Sequence, residues 1–235
     1  FDFSERAVEL LLLDSRLDLD PEEVVPFKDA FLRRLWGKDH FGFLNLLAYQ
    51  TYYTSSEVLK ALQEKGGETQ RLGLLREQLS EAEPYFRRCD ALSFDLSAIC
   101  AEAFPASAYS GPFGLRGEEA CQLCWYAGCS ERIKSAGFFE YNPHLDRIGR
   151  SAETLAIMVW YLIEGFYRRR YEADFEGPNF LRHTVVPLDT YEGSLRFYQS
   201  KLSNRWWMAL DAPSQAGAGE QIIPCSETTY LQASN

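Results

Sequence analysis

Short apolar runs alternate with longer amphipathic stretches along most of this chain. Val8-Glu9-Leu10-Leu11-Leu12-Leu13 is almost continuously apolar and ends in acids, which predicts a strand buried on both faces, as in a parallel sheet. A helix is predicted over 26–36, and a second apolar run follows at 41–53. The next helix is predicted over 55–64, with Ser55 or Ser56 as its cap and Gly66-Gly67 ending it. Downstream, 89–96 reads as a strand, 104–117 as a Pro/Gly/Ser-rich loop, 118–128 as a helix and 133–141 as a strand. Ser151 is expected to cap a long helix closing on Arg168-Arg169-Arg170, whose cations complement the negative end of its dipole. Strand-like pieces at 181–188 and 194–200 precede the Trp206-Trp207 pair, and 212–219 reads as a flexible loop.

This alternation predicts an α/β fold of three layers, α/β/α, with a mostly parallel sheet. At 235 residues and 46% hydrophobic content the chain is long enough for one large domain. Residues 1–210 are expected to form it, with 211–235 as its closing loop and tail. A net charge of −10 argues against a nucleic-acid partner, since phosphate binding needs a basic surface. The longest strongly apolar stretch, 155–163, is too short to span a bilayer, so no membrane role is expected. The opening Phe1-Asp2-Phe3 has neither Met nor a leader pattern, and the chain reads as a piece of a longer protein. Cys121-x-x-Cys124 falls on a predicted helix, facing the packing side, and the three histidines (His40, His144, His183) supply no second ligand pair. The six cysteines are therefore expected to be reduced core residues of a cytoplasmic protein. His40 is expected at the surface.

Candidate chemistry follows two of the strands. In an extended Asp14-Ser15-Arg16-Leu17-Asp18, the residues Asp14, Arg16 and Asp18 point to one side, and Asp95 and Ser97 do so in Ser93-Phe94-Asp95-Leu96-Ser97. Open α/β sheets place their sites at the carboxyl ends of strands. Acids at such ends also cap helices or face solvent, and spacing alone leaves both readings open.

With Glu140-Tyr141-Asn142-Pro143, these segments resemble, in order, three motifs of the ureohydrolases, the family of arginases, agmatinases and formimidoylglutamases. Those motifs are Asp-Ala-His-x-Asp, Ser-Phe-Asp-x-Asp and Glu-x-Asn-Pro. Phe104-Pro105-Ala106-Ser107, Gly114-Leu115 and Glu118-Glu119-Ala120 resemble the segment after the second motif. The similarity runs over about 8–170 and is nearest to the formimidoylglutamase branch. It implies an arginase-like fold whose N-terminal strands are missing from this chain. It also implies two manganese ions sharing a hydroxide that attacks an amidine or guanidine carbon.

Under the resemblance Asp14, Asp18 and Asp95 match metal-ligand positions, and Glu140 matches the catalytic position that orients the amidine. Arg16 stands where the family has a histidine ligand, and a guanidinium stays protonated and cannot coordinate. Ser97 replaces a second aspartate, and a further histidine belongs to an upstream Gly-rich strand. At most one manganese ion is therefore expected, with a small amidine or guanidine as ligand and a homo-oligomer as the assembly. The implied protein has an eroded site, impaired or absent catalysis, and a binding or structural role. The alternative is an active manganese-dependent formimidoylglutamase-like hydrolase once the upstream part is present. Arg16 is further expected to fill the vacated metal position through a salt bridge to Asp95 or Asp14.

Overall fold

The computed structural model describes residues 7–17, 41–185, 195–210 and 221–234. The predicted helix at 26–36, His40, Asp18 and the loop at 212–219 lie outside them. The chain divides into two compact units, Phe1–Arg169 and Arg170–Asn235. The division falls where the parallel layering ends.

In the first unit β1 (Val8–Leu13), β2 (Phe41–Tyr49), β3 (Thr69–Arg71), β4 (Ala91–Asp95) and β5 (Ser135–Phe139) form a wholly parallel sheet in the order β3-β2-β1-β4-β5. Its helices are α1 (Ser56–Glu64), α2 (Leu72–Glu77), α3 (Glu83–Arg88), α4 (Gly117–Cys129) and α5 (Arg150–Tyr167). The continuous leucine run of β1 divides by alternation. Leu10 and Leu12 pack with Leu44, Leu46 and the α1 residues Val58 and Leu62. Leu11 and Leu13 join Leu47, Leu92 and Phe94 in a larger cluster with Leu75, Phe86, Leu123 and Met158 from α2 to α5. Each fully buried leucine contributes about 1.5–3 kcal/mol. Helices thus cover both faces of the sheet, which is the expected three-layer α/β/α arrangement.

Ser55 caps α1 by accepting from Val58 N at 3.3 Å, and Gly66 closes it at φ 81°. Ser151 is not the cap of α5. That helix begins one residue earlier, so Ser151 is buried in its first turn and its Oγ accepts from Ala106 N at 3.0 Å. Asp146 takes the capping role, accepting from Ser151 N at 3.2 Å and Ala152 N at 2.8 Å, an anion at the positive end of the dipole. Helices α4 and α5 cross closely at two glycines. A Cβ on Gly128 would lie 2.1 Å from Leu162 O, and one on Gly165 would lie 2.4 Å from Trp125 O. Cys121 and Cys124 pack into the core from α4. Burial raises the Cys124 thiol above its ordinary value and pushes Cys89 up to about 12.

The second unit is antiparallel, which the sequence reading did not foresee. β6 (Phe180–Val185), β7 (Leu195–Ser200), β8 (Trp206–Leu210) and β9 (Gln221–Cys225) pair in that order, followed by α6 (Glu227–Ser234). The adjacent tryptophans point to opposite faces, as alternation demands. Trp206 stacks on Tyr230 of α6 at 4.5 Å, and Trp207 packs edge-on to Phe175 at 5.5 Å. Among the described residues, no helix is long and apolar enough to cross a membrane.

Candidate functional site

From β1 the chain winds outward through β2 to β3, then returns to β4 beside β1 and continues outward to β5. The topological switch point therefore lies at the carboxyl ends of β1 and β4, where open α/β sheets bind ligands. Leu13 pairs with Phe94, so Asp14 and Asp95 each stand one residue beyond that pair, on strands about 4.8 Å apart. Asp95 pairs in turn with Phe139, which puts Glu140 one residue further along the same edge. All three sequence motifs therefore reach one edge of the sheet.

The two aspartates are engaged locally. Asp14 Oδ1 accepts from Arg16 N at 3.0 Å, and Asp95 Oδ1 accepts from Ser97 N at 2.8 Å. Both are turns in which a carboxylate binds the backbone two residues on. Arg16 forms no salt bridge with either aspartate, contrary to expectation. Its guanidinium lies 4.5 Å from the Tyr53 ring centre and 5.4 Å from that of Tyr109, and Nη2 donates to Tyr109 O at 3.2 Å. A guanidinium is weakly hydrated and planar, so aromatic faces compete well for it. Ser97 is 1% exposed, and the buried Ser97 Oγ, Ser15 Oγ and Arg16 Nε have no hydrogen-bond partner among the described residues.

The segment after β2 supplies the rest of the edge. Gln50 N donates to Ser15 O at 2.8 Å, and Thr54 Oγ1 accepts from Leu17 N at 3.3 Å. Gln50 Nε2 donates to Phe113 O at 3.1 Å, while the Tyr52 hydroxyl donates to Gln50 Oε1. Desolvation and the neighbouring Tyr53 hold the Tyr52 phenol above its ordinary value. The sequence reading missed Gln50, Tyr52, Tyr53, Tyr109 and Phe113. The available signal was the polar and aromatic Gln50-Thr51-Tyr52-Tyr53 directly after a buried run.

Glu140 has φ 67°, the left-handed region that non-glycine residues rarely adopt. The motif around it is anchored on both sides. Asn142 N donates to Ala106 O at 2.7 Å, and the Asn142 side chain accepts from His144 N at 3.0 Å. His144 itself is exposed. Among the described residues, no group of three His, Cys, Asp or Glu side chains is placed to hold a metal ion. Hard divalent ions need several oxygen or imidazole donors, and this edge interposes a guanidinium and a serine among its carboxylates. The described residues do not fit a two-ion centre.

No family model matches the chain, and no curated protein matches it. Solved structures do. Formiminoglutamase of Trypanosoma cruzi with Mn2+ is 20% identical, with a TM-score of 0.63, over 69% of this chain and 58% of that one. Formimidoylglutamase of Bacillus subtilis is 17% identical, with a TM-score of 0.62, over 70% and 55%. Arginase of Bacillus subtilis is 18% identical, with a TM-score of 0.57, over 67% and 61%. The fold is that of formiminoglutamase and arginase structures, and the chain spans less than two thirds of each.

Proposed function

We propose that this chain is part of a ureohydrolase-type protein whose two-metal centre is eroded, with a binding or structural role in place of hydrolysis. Arg16 carries the proposal. Its side chain rests on Tyr53 and Tyr109 at the position where the resemblance requires an imidazole ligand, and it cannot lose its proton to become one. Ser97, neutral and buried, removes a second donor from the same ion. Two-ion sites clamp both nucleophile and substrate, so losing one ion's ligands costs orders of magnitude in rate. The edge retains carboxylates, tyrosine rings and a fixed cation. Carboxylates recognise an amidine or guanidine through paired N–H bonds, and Asp14, Asp95 and Glu140 are the side chains to supply them, with Asp18 from outside the described residues. A cytoplasmic, reducing setting belongs to this reading, since thiols packed into the core, as at Cys89, Cys121 and Cys124, suit such a compartment.

A second reading, an active manganese-dependent amidine hydrolase of the formimidoylglutamase type, draws support from the Mn2+ in a structure of the same fold and from the three acids at the switch point. Metal analysis and turnover separate the two. After dialysis from manganese, the 235-residue chain is expected to retain less than one equivalent. It is also expected to release urea or formamide from formiminoglutamate, arginine and agmatine no faster than a blank. Two retained equivalents, or saturable release, overturn the proposal in favour of the hydrolase.

A further inference from the structure

The acids at the switch point are bordered by exposed aromatic rings. Tyr52 is 62% exposed, Tyr53 39%, Tyr109 44% and Phe113 68%. Scattered singly, such rings would be ordinary surface residues, but these are joined. The rings of Tyr52 and Tyr53 lie 4.5 Å apart. Arg16 bridges Tyr53 to Tyr109, and the Gln50 side chain bridges the Tyr52 hydroxyl to Phe113 O. A Cβ on Gly111 would lie 3.1 Å from the Tyr53 hydroxyl, so the two segments also touch there. The loop that carries Tyr109 and Phe113 is tied down from within, Ala101 N donating to Gly111 O at 2.9 Å and Ser110 Oγ to Phe104 O at 3.0 Å. A patch held in place before anything binds loses little freedom on binding.

The polar part of the same edge sets the charge of what it takes. Asp14, Asp95 and Glu140 are half-buried, within reach of a ligand from outside. Three carboxylates there face one guanidinium, that of Arg16, so the local field favours a cation. Ser97 and Ser15 are each 1% exposed, and the Oγ of each has no partner among the described residues. A buried hydroxyl without a partner costs stability, and a ligand N–H at Ser97, in the turn that Asp95 begins, removes that cost. A guanidinium suits this set better than an ammonium, because its planar fork of five donors can serve two carboxylates and a hydroxyl at once.

We infer that the guanidine bound at this edge is an arginine side chain presented by a partner protein, with its guanidinium on the carboxylates and its neighbouring backbone across Tyr52 and Phe113. A free amidine of a few atoms is served by a site that encloses it, and it has nothing to lay on rings exposed to this degree. Joined, exposed aromatic rings beside an arginine are the residue types that dominate contacts between proteins. Charge chooses the partner. At −10 a second copy of this chain is repelled, whereas a basic protein surface is attracted. This deepens the binding role proposed for the edge, on which it rests, by naming the carrier of the guanidine.

Fluorescence anisotropy of a labelled, end-blocked peptide with one arginine among alanines and glycines tests this on the 235-residue chain. Its lysine and citrulline counterparts compete against it, as does methylguanidine, which carries the same charge without a backbone. The arginine peptide is expected to bind about tenfold or more tighter than each of the three. Asp95→Asn keeps its turn, because an amide oxygen accepts as a carboxylate does, and should weaken peptide and methylguanidine alike. Phe113→Ala keeps the carbonyl that Gln50 uses, and should weaken the peptide about fivefold or more, closing its lead over methylguanidine. Methylguanidine bound as tightly as the peptide, or a peptide indifferent to Phe113→Ala, overturns the inference and leaves the binding role standing. A lysine or citrulline peptide bound equally well overturns it too, since a guanidinium is then not what is read. Binding of neither peptide nor methylguanidine overturns the inference and the binding role together. Self-association of the chain that the peptide dissolves overturns it in favour of a second copy.

Discussion

Arg16→Ala separates an aromatic seat for this guanidinium from an ion pair with the acids beside it. The side chain makes two ring contacts, at 4.5 and 5.4 Å, and one hydrogen bond of 3.2 Å to a neutral carbonyl. Partly exposed cation–π contacts contribute about 0.5–1 kcal/mol each, and the hydrogen bond about 1 kcal/mol. Arg16 is half-buried, so the expected loss on truncation is about 2 kcal/mol. Breaking a buried ion pair would cost about 3–5 kcal/mol. Urea unfolding of Arg16→Ala, Tyr53→Leu and the double variant gives the coupling directly, expected at about 0.5–1 kcal/mol. It should change little between about 0.05 and 1 M salt, since no carboxylate among the described residues forms a salt bridge with Arg16. Arg16→Lys should recover less than half of the loss, because an ammonium lacks the planar face. A loss above about 4 kcal/mol that shrinks as the medium is acidified toward about pH 4 would refute the aromatic seat. It would return Arg16 to the carboxylates.

Gly165→Leu should cost about 3 kcal/mol in urea unfolding, since even a Cβ there falls 2.4 Å from Trp125 O and 2.9 Å from Cys129 N. Gly73→Ala, with nothing within 4 Å of the new Cβ, should instead stabilise α2 by about 0.5–1 kcal/mol; losses of similar size at both sites would contradict the close crossing. Cys89, its thiol pushed up to about 12 by burial, and Cys124 should stay silent to a thiol reagent at about pH 8 until the protein unfolds, and rapid native labelling of either would count against the packing. Desolvation alone would raise Asp146, but N–H groups of Ala152 and Ser151 outweigh it and hold the carboxyl below its ordinary value. Its contribution is therefore complete above the unfolded value of about 3.9 and is lost as pH falls through the lower folded value. Asp146→Asn should flatten that acid limb, and an ordinary value in an NMR titration of the Asp146 carboxyl would remove the argument.

Much of the first unit could be read from apolar runs alone. β1 has the bounds of its leucine run, α1 differs from expectation by one residue at its start and α4 by one residue at each end, because caps and turn residues punctuate them. β5 is shorter than expected at both ends for reasons no periodicity reveals. Ile133 is buried beneath Arg169, which bonds its carbonyl, and the left-handed Glu140 ends the strand. α2 and α3 were unforeseen; each has six residues, too few to form without tertiary packing. In the second unit β8, β9 and α6 are short, β9 and α6 are largely half-buried or exposed, and only the tryptophan pair hinted at them. The site divides likewise. The positions of Asp14, Asp95 and Glu140 follow from strand ends, whereas the seat of Arg16 depends on Tyr109, 93 residues away on a loop.

The frame of the site and its chemistry answer to different demands, and the turns after β1 and β4 show how. Asp14 and Asp95 each bind the N–H two residues on, which bends the chain away from the sheet edge. A turn of that kind favours Asp at its first position whether or not an ion is near, so an aspartate at 14 or 95 is no measure of metal binding. Residues 16 and 97 give those turns only their backbone N–H, and the turn leaves their side chains unconstrained. On the proposed reading this is why the substitutions stand at Arg16 and Ser97 while Asp14 and Asp95 keep the family's residue type. Glu140 does not fit the same logic. Glycine or asparagine takes a φ of 67° at lower cost than glutamate, so backbone geometry does not call for a carboxylate there. Of the three described acids on this edge, Glu140 is therefore the one whose residue type the backbone turn does not account for, and on the proposed reading it is the one to contact an amidine.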